Sequence, residues 1–421
     1  MNLSRRQWLL GGAGLAVAGG LALRPAVDRR GHGAYFAALN RAVQQAGLLE
    51  PHLWMDAQAL EHNIQTVRQR LAVRQLPCRI VVKSLPAPGL VARLMQALPT
   101  RRLMLFNLPM LAQSLRLWPD ADVLMGKPLA TPSLARWLQE DAQGLDTQRV
   151  RWLVDTPARL QALAALAAAR QQRFAVVLEL DVGLHRGGLA DTVALQAVLA
   201  QLGNLPQLQL DGLMAYDPHV AKVPSFLQAG AWQASQQKLA EALAVLRQAG
   251  HDPAQMIING GGSPTYQRHA AGSLANEVAI GSAFVQPADF DAVVSGHRPA
   301  CFITTPVLKV VQPALIPVLE WAAPLRRLWS EGLDTGYFVH GGHWLAQMAS
   351  PPGLQKSGLY GESSNQELWL GSAATGLQVN DLVVLRPTQS EAVFLQFGDL
   401  RLYQPGQGVL PTRWPVFAVS A

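Results

Sequence analysis

The chain has 421 residues, 49% apolar and 15% charged, with a formal net charge of +7. That length exceeds one small core and that composition excludes a disordered chain, so two domains plus a leader are the natural reading. The arginines are scattered through helical stretches and form no basic stripe, which argues against a nucleic-acid module.

The first residues, Ser4-Arg5-Arg6-Gln7-Trp8-Leu9-Leu10, precede a soft apolar run rich in Gly and Ala. Two adjacent arginines before such a run resemble a twin-arginine export signal, assigned to residues 1–30. The run over 8–23 is short for a membrane span and carries five glycines, which disfavour a helix in lipid. The expectation is a periplasmic protein carried by the twin-arginine export machinery. An uncleaved leader would instead leave it anchored to the membrane. Cleavage after Ala26 would remove Arg5, Arg6 and Arg24 and lower the net charge from +7 to +4. That route carries folded proteins, often with cofactor loaded. Cys78 and Cys301 are the only cysteines; they form no disulfide framework and are expected as buried thiols.

A helix is predicted over 31–49, ended by Pro51. Short apolar or β-branched runs then alternate with helical stretches. Strands are predicted at 80–83, 103–106, 123–125, 151–154, 175–181, 208–214, 256–258 and 277–280. Helices such as 157–171 and 229–249 separate them, the second stopped by Gly250. Eight such repeats over 31–298 argue for an α/β fold, a closed (β/α)8 TIM barrel, over an open doubly wound sheet. From 299 to 421 the periodicity shortens, with apolar runs at 303–311, 382–385 and 393–397 and a loop over 350–361, and a β-rich second domain is expected.

Candidate site residues fall at the ends of the predicted barrel strands, where barrel enzymes place their chemistry. Lys83 closes the first strand in Arg79-Ile80-Val81-Val82-Lys83-Ser84, and a buried amine there can form a Schiff base. Arg186 follows the fifth strand in Asp181-Val182-Gly183-Leu184-His185-Arg186-Gly187-Gly188, placed to hold a carboxylate, a phosphate or a heterocyclic nitrogen. Tyr216 and His219 follow the sixth as acid/base groups. Asn259-Gly260-Gly261-Gly262-Ser263-Pro264-Thr265-Tyr266 and Ile280-Gly281-Ser282 follow the seventh and eighth. Such turns present backbone N–H groups to an anion, and barrels often use these two loops together for phosphate.

These motifs, with Met55-Asp56, Leu60, Asn63 and Ile64 ahead of Val81-Val82-Lys83, resemble the alanine-racemase-type, fold-type III pyridoxal-phosphate enzymes. The Asp-Val-Gly-x-x-Arg turn, the Tyr-x-x-His segment and the Gly-Gly-Gly-Ser loop are similar to those of D-threonine aldolases and eukaryotic-type D-serine dehydratases. The likeness runs from about Pro51 to the C-terminus, and the β-domain resembles that group's companion domain. It implies pyridoxal 5′-phosphate held by Lys83, with Gly261, Gly262, Ser263, Tyr266, Gly281 and Ser282 around the phosphate and Arg186 near the ring. It implies Tyr216 and His219 in the pocket. Members are often dimers, which makes a homodimer an expectation.

Two departures stand out. Where these enzymes carry a metal-binding His-x-Asp or His-x-Cys after a proline, this chain reads Pro387-Thr388-Gln389-Ser390-Glu391. Gln389 and Glu391 make a poor transition-metal site, although a hard divalent ion stays open. His340-Gly341-Gly342-His343 stands where relatives have Asp-Ala-Gly. The resemblance implies a lyase on a D-amino acid, by aldol cleavage or dehydration. A racemase is the alternative, although the C-terminal tyrosines Tyr337, Tyr360 and Tyr403 sit in no racemase-like motif. A cofactor- or ligand-binding protein without turnover is the third reading.

Overall fold

The computed structural model describes residues 28–315, 317–322, 332–358 and 363–418. Residues 1–27 of the expected leader, and Tyr360, lie outside them. An initial helix, Ala34–Gln45, leads to strand β1 (His52–Asp56). Eight parallel strands then close a barrel in chain order: β2 (Cys78–Val81), β3 (Arg102–Leu105), β4 (Asp122–Met125), β5 (Val150–Val154), β6 (Phe174–Leu180), β7 (Leu208–Ala215), β8 (Ile257–Gly260) and β9 (Glu277–Ile280). Pairing of Arg79 with Ala279 and of Ile80 with Ile280 closes the ring. Every predicted barrel strand overlaps an observed one.

Four of the helices between strands start where the sequence supplies a side-chain cap. Asp56, Asn107, Thr156 and Asp191 each accept a hydrogen bond from the N–H three residues on, satisfying a donor that the first helical turn leaves free. Gly250, at φ +84°, follows the helix Ser225–Gln248 as expected.

The barrel interior is filled. Val81, Met104, Leu124, Leu153, Val177, Met214 and Ala279 form one cluster drawn from seven of the eight strands. Toward the strand N-termini the filling is ionic. Arg79, wholly buried, donates to both carboxylate oxygens of Glu277 at 2.6 and 2.9 Å and to Asp122 at 2.9 Å. Asn259 donates to Glu277 at 2.8 Å. One end of the barrel is thereby plugged, leaving the C-terminal end for the site.

A second sheet has nine strands. It includes β10 (Cys301–Val311), β11 (Thr335–His340), β12 (Ala346–Ser350), β13 (Gln355–Lys356), β14 (Gln366–Gly371), β15 (Leu382–Pro387), β16 (Asp399–Gln404) and β17 (Gly408–Pro415). Its main path is β13-β14-β11-β10-β1-β16-β17, with β15 paired to β10 and β12. Its core gathers Leu39, Val43, Trp54, Phe302, Leu382, Val384 and Tyr403.

The chain divides into two compact units, one of residues 1–54, 302–387 and 403–411, the other of 55–301, 388–402 and 412–421. This differs from the expected limits of 31–298 and 299–421. The helix Ala34–Gln45 belongs with the sheet because Leu39 and Val43 enter its core. Residues 388–402 return to the barrel unit. Within them the apolar run 393–397, expected as extended, is instead the helix Glu391–Leu395, which buries Val393 and Phe394. So short a run carries no usable periodicity. Strand β13 likewise falls inside the stretch expected to be loop.

Candidate active site

Strand β2 ends at Val81, and a single 3-10 turn, Val82–Ser84, carries the chain out of the barrel. Lys83 is the middle residue of that turn. Its ammonium lies 4.6 Å from the ring centroid of Phe106, after β3, and 2.9 Å from Glu391 Oε1. Ser84 Oγ donates to the same oxygen at 3.1 Å. Both charged side chains of the pair are about one-third exposed, at 36% and 37%, so the amine sits at a mouth that small molecules can reach.

The mouth opens into a cleft of about 170 Å³ in the barrel unit. Lys83, Arg186, Tyr216, Gly261, Gly262, Ser263, Gly281, Ser282 and Glu391 all line it. Arg186 rides on a loop whose Gly183, Gly187 and Gly188 have φ of +118°, +129° and +94°; Gly188 has no room for a side chain, since a Cβ there would meet Glu179 O at 2.9 Å. The Arg186 guanidinium lies 4.8 Å from the Tyr216 ring centroid and 3.7 Å from Glu179. Burial pushes the Tyr216 phenol and the Glu179 carboxyl up from their usual ranges, and the Arg186 charge works against both shifts.

The loops after β8 and β9 form one turn structure. Ser263 Oγ accepts from the N–H groups of Gly281 and Ala283 at 3.1 and 3.0 Å, which leaves its own hydrogen free to donate. Ser282 Oγ meets Ser390 Oγ at 3.2 Å. The glycines are there for closeness. A Cβ on Gly262 would stand 2.6 Å from Tyr216 Cε2, and one on Gly281 would stand 2.8 Å from Ser84 Cβ.

Two expected site residues stand apart from the cleft. Tyr266 is fully buried and its hydroxyl pairs with the His297 ring, while its N–H donates to Gly262 O at 2.8 Å. His219 packs behind the Arg186 loop, its Nε2 3.0 Å from where a Gly183 Cβ would lie, and burial lowers its pKa. Lys222, one turn further along, lines the cleft instead. Phe106, under the ammonium, carries no motif that marks it in the sequence.

The model of the alanine racemase N-terminal domain matches residues 55–287. The chain belongs to that family. No curated protein sequence matches it. Among solved structures it is similar to D-threonine aldolase from Filomicrobium marinum, at TM-score 0.70 and 18% identity over 87% of this chain and 95% of that one. It is also similar to D-threo-3-hydroxyaspartate dehydratase from Delftia sp. HT23, at 0.68 and 19% over 87% and 97%. Alanine racemase from Bacillus anthracis aligns at 0.63 and 14% over 87% and 98%.

Alanine racemase-fold enzymes use pyridoxal phosphate, and the residues of this barrel fit that group. The cleft offers one accessible amine at a strand end, a turn where side chains are sterically barred, a serine hydroxyl free to donate, and a fixed cation on an aromatic face. Of the two degenerate metal-ligand positions, Gln389 donates to Asp289 at 3.4 Å on the surface and Glu391 turns to Lys83. Among the described residues no group of three or more His, Cys, Asp or Glu side chains is gathered to hold a metal ion. His340 and His343 lie in the other compact unit.

Proposed function

We propose that this alanine racemase-type barrel is a pyridoxal-phosphate-dependent lyase acting on a D-β-hydroxy amino acid, by aldol cleavage or dehydration. The observation that carries the reading is the placement of Lys83. It is the strand-end amine of a cleft that also holds the glycine-and-serine turn, Arg186 and Tyr216. The solved neighbours named for a threonine aldolase and a hydroxyaspartate dehydratase support the substrate class, since both names describe β-hydroxy amino acids.

The cofactor, when bound, supplies an electron sink that weakens the bonds at the substrate Cα. Lys83 would hold it covalently, with Ser263, Ser282 and the N–H groups of Gly261 and Gly262 receiving its phosphate. Arg186 brings a permanent positive charge with no proton to give up, so it would disfavour protonation of a ring nitrogen held against it. Tyr216, its phenol pushed up by burial, is a neutral acid across the physiological range and holds a proton at its hydroxyl oxygen. Glu391 holds the Lys83 ammonium when the amine is free. We propose no metal role for Glu391, because it is engaged with Lys83.

The lyase reading is preferred to a racemase because, of the C-terminal tyrosines among the described residues, neither is presented as a second base. Tyr337 is buried and bonded to Ser372 O and Thr375 Oγ1, and Tyr403 is buried in the sheet core. The leader motif supports export to the periplasm, and family habit supports a homodimer; both belong to the proposal.

The test is incubation of the purified holoprotein with D-threonine and D-serine, with and without EDTA. Glycine with acetaldehyde, or pyruvate with ammonia, is expected in both conditions. Absence of all four products sinks the lyase reading. Solvent deuterium at Cα of both enantiomers would establish the racemase instead, and a visible band unresponsive to any amino acid would establish a binder.

A further inference from the structure

Behind the cleft lies a buried polar chain that the proposed chemistry does not use. Asp217 follows Tyr216 in the loop after β7 and is 1% exposed. Its carboxylate accepts the Thr265 hydroxyl at 2.6 Å and meets the His269 Nε2 at 2.9 Å. The other ring nitrogen of His269 meets Ser273 Oγ at 3.0 Å. Thr265 and His269 are equally buried, at 0% and 1%. A polar chain so completely enclosed is costly unless every member is satisfied, and one that is satisfied fixes geometry tightly.

What it fixes is the glycine turn. The His269 ring lies directly under that turn. A Cβ on Gly260 or Gly261 would stand 2.7 Å from ring carbons, and Trp232 backs the ring edge-on at 4.9 Å between centroids. The Thr265 N–H donates to Gly262 O at 3.0 Å, closing the turn. Asp217 thus ties floor and far end of the turn to the segment that carries Tyr216. We infer that Asp217 is a positioning residue for a phosphate-monoester cradle, acting through Thr265 and His269 to hold the Gly261–Ser263 backbone in place against Tyr216. The inference rests on the cofactor part of the reading above, not on the reaction assigned to it.

The decisive quantity is the preference of the protein for pyridoxal phosphate over pyridoxal, which lacks the phosphate. Both affinities are read by absorbance on protein stripped of cofactor, with inorganic phosphate as competitor. Asp217→Asn is expected to lower the preference at least tenfold, and phosphate competition with it, while pyridoxal affinity changes less than twofold. Thr265→Ser, which keeps the hydroxyl, should retain the preference, and Thr265→Val should lose it. If Asp217→Asn fails to fold, the Thr265 pair carries the test alone. Equal loss of both ligands, or an unchanged preference in Thr265→Val, overturns the inference. No amino acid enters the measurement, so failure of the lyase assay leaves this result standing. A wild-type protein that binds neither pyridoxal phosphate nor phosphate sinks the cradle and the cofactor assignment together.

Discussion

The Lys83 ammonium and the Glu391 carboxylate are 2.9 Å apart, joined across 308 positions of sequence by the return of residues 388–402 to the barrel unit. Each side chain is about one-third exposed, so the ion pair contributes little to stability, on the order of 1 kcal/mol or less. Its contribution is local, holding the amine over Phe106 and accepting Ser84. Glu391→Gln is therefore expected to leave the melting temperature within about 2 °C of wild type and to lower turnover tenfold or more. Melting curves and steady-state rates on the same preparation check this. A large melting shift with turnover preserved would reverse the assignment.

Gly262 faces the aromatic ring of Tyr216 with no space between them. The obstructing atom is a ring carbon, so a methyl group at this position displaces the whole tyrosine or the turn. Overpacking of this kind costs about 1–3 kcal/mol. Gly262→Ala should weaken pyridoxal-phosphate binding by tenfold or more, and adding Tyr216→Ala in the same chain should recover part of that loss. Titration of the visible band in the single and double variants gives the answer, and equal affinity in both would show the contact to be slack.

The barrel was legible because each strand is a short aliphatic run with its own flanking turn, so all eight could be read locally. Lys83, Arg186, Tyr216, Gly261, Gly262, Ser263, Gly281 and Ser282 share a cleft because each lies within a few residues of a strand end. Tyr266 and His219 also lie near strand ends, yet side-chain direction decided their fate: one turns inward to His297, the other behind the Gly183 loop. Residues whose role depends on distant chain carry no local signal. Glu391 could not be matched to Lys83, nor Asp217 to His269, and the helix Ala34–Gln45 could not be assigned to the sheet, because these contacts are set by how the chain returns on itself.

Arg186 and Tyr216 are coupled by charge. The guanidinium 4.8 Å from the ring centroid opposes the upward push that burial gives the phenol. Arg186→Met removes that opposition, so the phenol moves further up and its ionisation, followed at 295 nm, comes at higher pH than in wild type. The alkaline limb of turnover should move the same way if the neutral phenol is the working form. Tyr216→Phe serves as the control, with that ionisation absent from the titration.

Arg79 and Glu277 are both completely buried, and their pairing holds the closed end of the barrel. Removing one partner leaves the other charge uncompensated, at a cost of about 3–5 kcal/mol. Arg79→Met should lower stability by that amount in denaturant titration, and Arg79→Met with Glu277→Leu should recover much of it, although Arg102 also loses a partner at 3.1 Å. A single variant as stable as wild type would mean that water reaches the pair.

His297 makes stability depend on acidity. Burial is the main reason its imidazole is pushed down from about 6.5 to about 4, which favours the neutral ring beside the Tyr266 hydroxyl. Between those two values the unfolded chain binds a proton that the folded chain does not, so stability rises with pH across the interval. The contribution is present in full above about pH 6.5 and is lost as pH falls toward and through about 4. His297→Gln keeps a polar partner for Tyr266 but cannot titrate. The difference in melting temperature between wild type and this variant should therefore shrink or change sign on going from pH 7.5 to pH 4.5. A constant difference would mean that the ring is protonated in the fold as readily as in the unfolded chain, and that its burial costs the charged form nothing.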